Sequence, residues 1–170
     1  MLGLFLEDID EGLSVDLGSY HFTRESIVKF AKQYDPQPFH LSDEAGLVGP
    51  FGGLTASGWH TSSGWMKCFV ATNNAARAKL LAMGKPSPEV GPSPGFTNLK
   101  WLKPVYPDDT VRYRCVVTGK RELASRPQWG LVLSLNEGFN QKGDLVFTFE
   151  GKVLTARSPS PWRPLHGLGF

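Results

Sequence analysis

Cysteine is scarce in this 170-residue chain: Cys68 and Cys115 are the two that occur, far apart and with no CxxC or Cys/His cluster. That excludes a disulfide-stapled framework and the usual zinc-site spacings, and it predicts two buried free thiols in a reducing compartment. Long apolar runs are also missing. No stretch approaches the ~20 residues that a membrane span requires. The apolar start Met1-Leu2-Gly3-Leu4-Phe5-Leu6 runs straight into Glu7-Asp8 with no basic segment, unlike a secretory signal. A cytoplasmic protein with no membrane partner is therefore expected. A net charge of +2, with the cations dispersed, gives no ground for a nucleic-acid partner. No metal and no cofactor are expected. Finally, no aspartate or glutamate occurs from Ala56 to Met83.

What is abundant is punctuation: thirteen prolines and nineteen glycines, lying between periodic segments where they read as turns. Residues 1–12 are expected to form an arm over the surface. Val15, Tyr20 and Phe22 suggest a first strand over 14–22, with Gly18 as a bulge. Thr23 can cap a helix whose apolar positions Ile27, Val28, Phe30, Ala31 and Tyr34 recur at helical spacing. Pro36 ends that helix at Tyr34 or Asp35. Ser42-Asp43-Glu44-Ala45 reads as the start of a short helix, and 56–83 as a long helix without a proline. Gly64 inside it costs about 1 kcal/mol relative to alanine, which implies close packing against a curved sheet. After the proline-rich connection 86–94, strands are predicted at 96–102, 111–118, 131–136 and 145–153, with Asn140-Gln141-Lys142-Gly143 as a hairpin loop. One strand, helical segments, then four strands linked by turns imply an α+β architecture, an antiparallel sheet wrapped about the long helix. The tail 158–170 is expected to cross the surface toward a partner subunit.

The candidate site is Tyr34-Asp35-Pro36-Gln37-Pro38-Phe39-His40 read with Phe51-Gly52-Gly53-Leu54-Thr55-Ala56-Ser57-Gly58-Trp59-His60. Two prolines make the first stretch a stiff extended turn that holds Asp35 and His40 in a set relation. A carboxylate at a helix C-terminus is expected to have a raised pKa. The unpaired N–H groups at the start of the long helix, from Ser57, Gly58 and Trp59, offer donors to an oxygen gaining negative charge; plain helix capping by Thr55 or Ser57 is the alternative. His60, one turn further on, either hydrogen-bonds the loop or faces the site.

These residues resemble a known family. Asp-x-(Asn/Gln)-Pro-x-His matches Asp35, Gln37, Pro38 and His40, and Phe-Gly-Gly-Leu-x-Ala-Ser-Gly, Trp101-Leu102-Lys103-Pro104-Val105 and Phe147-x-x-Glu150-Gly151 follow. The chain is similar to the MaoC-type dehydratases, relatives of (R)-specific enoyl-CoA hydratase, from about residue 15 to 157. The resemblance implies a hotdog fold, the sheet curled around one long helix, in a single domain that assembles as a homodimer or higher homo-oligomer. It also implies reversible syn addition of water to a trans-2-enoyl-CoA, giving the (R)-3-hydroxyacyl product. Asp35 and His40 would hold the water, and the Gly58 N–H would polarise the thioester carbonyl. Ser57, Trp59, Ser62 and Ser63 are candidate substrate contacts. Lys100, Lys103 and Arg112 are candidate partners for the coenzyme A phosphates, with solvated strand charge as the alternative. Relatives carry His-Gly where this chain has Ser57-Gly58, and a hydroxyl residue where it has Met66. A thioesterase on the same fold, or a non-catalytic acyl-thioester binding subunit, are the competing readings; the missing carboxylate on the long helix argues against the first.

Overall fold

The computed structural model describes residues 3–158. Five strands form one antiparallel sheet in the order β1-β3-β4-β5-β2, where β1 is Ser14–His21, β2 Gly95–Trp101, β3 Thr110–Glu122, β4 Trp129–Phe139 and β5 Leu145–Ala156. Three α-helices, α1 (Arg24–Tyr34), α2 (Asp43–Leu47) and α3 (Gly58–Ala82), separate β1 from β2. The sheet curls around α3, as the hotdog architecture requires.

Local chemistry sets the element ends. Thr23 caps α1 by accepting from the Ser26 N–H, and Ser42 caps α2 by accepting from the Ala45 N–H. Gly18, at φ 85°, lies where the β1–β3 register slips, so the bulge falls at the expected residue. In the β4–β5 loop, Asn140 Oδ1 accepts from the N–H groups of Lys142 and Asp144, and Gly143 takes the positive φ that closes the turn.

The core lies between α3 and the concave face of the sheet, where Phe22, Trp65, Cys68, Val111, Tyr113, Phe147 and Phe149 pack together. Gly64 is a point of close approach: a Cβ there would lie 2.8 Å from the Tyr113 hydroxyl and 3.3 Å from both Phe22 and Tyr20. Tyr113 Oη in turn donates to the Thr61 carbonyl at 2.8 Å, tying the sheet to the first turns of α3. The packing role expected of Gly64 is met by this tyrosine.

Two expectations change, and the facing of β4 is settled. The N-terminal segment is no surface arm: Leu6 and Ile9 are buried in the core, Leu6 lies against Gly130, and Lys120 donates to the Leu6 carbonyl at 3.0 Å. The turn after Asp35 is less extended than two prolines suggested, since Pro38–His40 closes as one turn of 3-10 helix. In β4 the buried positions include Val132, Ser134 and Asn136, while Leu133 and Leu135 are half-buried on the other face. The tail beyond residue 158 and its expected partner contact lie outside the described residues.

Candidate active site

Asp35 caps the C-terminus of α1, its own N–H donating to the Ala31 carbonyl. His40 follows on the short 3-10 turn, and Gln37 bridges the two on the main chain, donating to the Asp35 carbonyl at 2.8 Å and accepting from the His40 N–H at 2.9 Å. The side chains converge: His40 Nε2 stands 3.6 Å from Asp35 Oδ2. His40 is buried, and its Nδ1 lies 2.6 Å from the Thr55 carbonyl oxygen. A carbonyl can only accept, so Nδ1 carries the hydrogen and, in the neutral ring, Nε2 presents a lone pair toward Asp35.

Ser57 completes the arrangement. Its hydroxyl donates to Asp35 Oδ2 at 2.7 Å and accepts from the Trp59 N–H at 3.2 Å, so one oxygen both anchors the carboxylate and caps α3. Gln37 Nε2 donates to Asp35 Oδ1 at 2.8 Å. Burial raises the Asp35 carboxyl, but the hydrogen bonds from Ser57 and Gln37 and the nearby His40 outweigh it and hold the group below the usual aspartate range. The rise expected from the helix C-terminus is thus reversed: donors in direct contact count for more than a partial charge at the end of a helix.

Asp35 and His40 line a cavity of about 520 Å³ that also reaches Thr55, Gly58, Trp59, Trp101 and Lys103. The Gly58 N–H has no hydrogen-bond partner among the described residues, because the first turn of α3 bonds to Ser57 through the N–H groups of Trp59, His60 and Thr61. Gly58 is small for a second reason: a Cβ there would run into the fused edge of the Trp101 indole.

Some expected substrate contacts do not reach this cavity. Ser57 is fully buried and outside the cavity lining, with its hydroxyl already donating to Asp35 and accepting from the Trp59 N–H. The Ser62 and Ser63 hydroxyls donate back to the carbonyls of Gly58 and Trp59, and both residues line a separate apolar trough. Lys100 is exposed on edge strand β2, away from the cavity lining. Lys103 does line it, with Nζ 2.6 Å from Asp144 Oδ1. Arg112 pairs with Asp16 on β1. Trp59 is half exposed and lines both cavities. His60 turns away into an aromatic box, stacked on Phe30 at 4.7 Å with Phe22 and Tyr20 edge-on. Burial pushes its pKa down to about 4.

Sequence reading placed Thr55 in the candidate run and offered it as a cap, but missed its contact with His40. Thr55 acts through its main-chain carbonyl, which leaves no side-chain signature; the signal available was its place in the run leading to the helix. Among the described residues, no group of three or more His, Cys, Asp or Glu is gathered as a metal site would need.

Comparison with known proteins identifies the family and the fold. The MaoC like domain matches residues 11–130. The crystal structure of a MaoC-like dehydratase from Rhodospirillum rubrum is 32% identical, with a TM-score of 0.72, covering 92% of this chain and 99% of that one. A mesaconyl-CoA hydratase from Cereibacter sphaeroides is 31% identical over 94 residues, 49% of this chain but 27% of that protein. An (R)-hydratase from A. caviae involved in PHA biosynthesis shares the fold, at 21% identity and a TM-score of 0.62 over 90% of this chain and 99% of that one. With a domain match across most of its length and a 32% identical relative aligned nearly end to end, this chain belongs to the MaoC-like domain family, which includes hydratases and dehydratases.

Proposed function

We propose that this protein is a reversible hydratase of trans-2-enoyl-CoA thioesters that forms the (R)-3-hydroxyacyl product by syn addition of water. The observation that carries this reading is the pair of acceptors, Asp35 Oδ2 and His40 Nε2, 3.6 Å apart in one cavity. With His40 neutral, neither atom carries a hydrogen, so a water molecule can donate one hydrogen to each and present its oxygen lone pair to the substrate. The pair takes one proton as the water oxygen bonds C3, and the electrons of the double bond move onto the thioester carbonyl as an enolate. The pair then returns a proton to C2 from the same face, which accounts for syn addition and balances the atoms of one water. The unpartnered Gly58 N–H is suited to meet the oxygen that gains charge; losing such a donor costs about 3 kcal/mol, a factor of roughly a hundred.

We place the protein in the cytoplasm, on the strength of its unpaired buried thiols Cys68 and Cys115. No helix among the described residues is long and apolar enough to cross a membrane. A second copy of the chain is the proposed partner. Strand β2, at the edge of the sheet with its outer side unpaired among the described residues, is the surface that a second copy would extend. A thioesterase reading finds no carboxylate on α3 to support it, since Asp and Glu are absent from 58–82.

The test is hydration of crotonyl-CoA, followed by loss of enoyl absorbance. Asp35→Asn and His40→Ala are expected to lower kcat by about a hundredfold or more while the thermal midpoint shows a folded protein. Full activity in both variants rejects the assignment.

A further inference from the structure

Two cavities meet at the first turns of α3. The one that holds Asp35 and His40 has Gly58, Trp59 and Trp101 in its wall. The other, about 310 Å³, runs along the same helix beside Trp59, Ser62, Met66, Phe96, Leu99 and Phe149. The second has no charged group in its lining, and its two serine hydroxyls are already donated to helix carbonyls. Such a trough suits hydrocarbon and little else.

The Trp101 side chain stands between them. The fused edge of its indole occupies the space beside Gly58, and Trp59 meets it edge to face at 5.1 Å. Its Nε1–H donates to Ser62 Oγ at 3.2 Å, while Ser62 gives its own hydrogen to the Gly58 carbonyl at 3.1 Å. Ser62 belongs to the lining of the apolar trough and Trp101 to that of the polar cavity, so this hydrogen bond crosses the boundary. Trp101 is also the last residue of edge strand β2 and is 44% exposed, so the indole is held by these contacts rather than by burial in the core.

We propose that Trp101, latched by Ser62, is a specificity-determining partition. It confines the acyl group of a bound thioester to the polar cavity, and its displacement joins the trough to that cavity so that longer hydrocarbon chains are accepted. This rests on the thioester hydratase reading above.

The experiment compares the intact protein with Trp101→Leu and Ser62→Ala. Two readouts are taken: kcat/KM for crotonyl-, octenoyl- and dodecenoyl-CoA, and thermal stabilisation by the saturated butanoyl-, octanoyl- and dodecanoyl-CoA, which cannot be hydrated. The intact protein is expected to favour the short chain in both. Trp101→Leu should raise the octenoyl-to-crotonyl ratio by about tenfold or more, as expected when a hydrocarbon pocket gains several methylenes. Ser62→Ala, which removes only the latch, should shift it in the same direction by less. Should Trp101→Leu fail to fold, Ser62→Ala decides. Unchanged chain-length profiles in a folded variant, or an intact protein that already prefers dodecenoyl-CoA, overturn the partition. A shifted binding profile without any hydration keeps the partition and rejects the hydratase reading. No stabilisation by any thioester rejects both.

Discussion

Ser57 Oγ donates to Asp35 Oδ2 at 2.7 Å while accepting from the Trp59 N–H at 3.2 Å, so the orientation of the carboxylate and the start of the long helix depend on one hydroxyl. Ser57→Ala is expected to remove both. Loss of the cap costs about 1 kcal/mol of stability. Loss of the donor lets the Asp35 pKa rise, because Ser57 is the strongest of the groups that lower it. In a pH–rate profile of enoyl-CoA hydration, the acidic limb should move to higher pH. A limb that stays in place would show that Asp35 ionisation does not govern the rate.

His60 makes stability depend on pH in a definite direction. Its folded pKa of about 4 lies below the 6.5 of an unperturbed histidine, and its Nδ1 is buried without a partner. Between those values the unfolded chain binds the extra proton, so stability is whole above pH 6.5 and falls as the pH drops toward 4, by about 3 kcal/mol. His60→Leu should flatten this dependence in urea titrations across that range. The depressed Asp35 pKa acts lower, its contribution being lost only as pH falls below the ordinary aspartate value of 3.8.

Gly58→Ala should be costly twice over. The new Cβ meets the Trp101 indole, a steric conflict worth about 1–3 kcal/mol. It also shifts the N–H proposed to meet the thioester oxygen. Adding Trp101→Leu should restore much of the stability in a double-mutant cycle. Additive losses would mean that the two residues are not in contact.

Gly64→Ala tests helix–sheet packing apart from the site. Helix propensity alone favours alanine by about 1 kcal/mol, but the Cβ would stand 2.8 Å from the Tyr113 hydroxyl. A net loss of roughly 1–3 kcal/mol in thermal or urea unfolding is expected. A gain would show that the gap between α3 and the sheet can widen at no cost.

The helices and hairpins were legible because their signals are local. Thr23 and Ser42 cap where side-chain oxygens were expected, Pro36 stops α1, and Gly18 and Gly143 sit at a bulge and a turn. β4 shows the limit. Its alternation was clear, yet apolarity alone favours turning the leucines inward, and Leu133 and Leu135 are half-buried on the other face while Ser134 and Asn136 are buried. Tyr113, Cys115 and Val117 point into the core, and their cross-strand partners are Gly138, Asn136 and Ser134, which must share that face. Register across the sheet overrides the hydrophobic preference of one strand.

The motifs around Asp35–His40 and Phe51–Gly58 were enough to point to the family by resemblance, and prolines, caps and periodicity, which act over a few bonds, were enough to place the helices, the strands and the turn that joins Asp35 to His40. They left undetermined which nitrogen of His40 is bare, which residue anchors Asp35, and what fills the space over Gly58. Those answers come from the Thr55 carbonyl, the Ser57 hydroxyl and the Trp101 indole, contributed by segments distant from Asp35 and His40 along the chain. Contacts between such segments follow from how helix and sheet pack together, which no local pattern records.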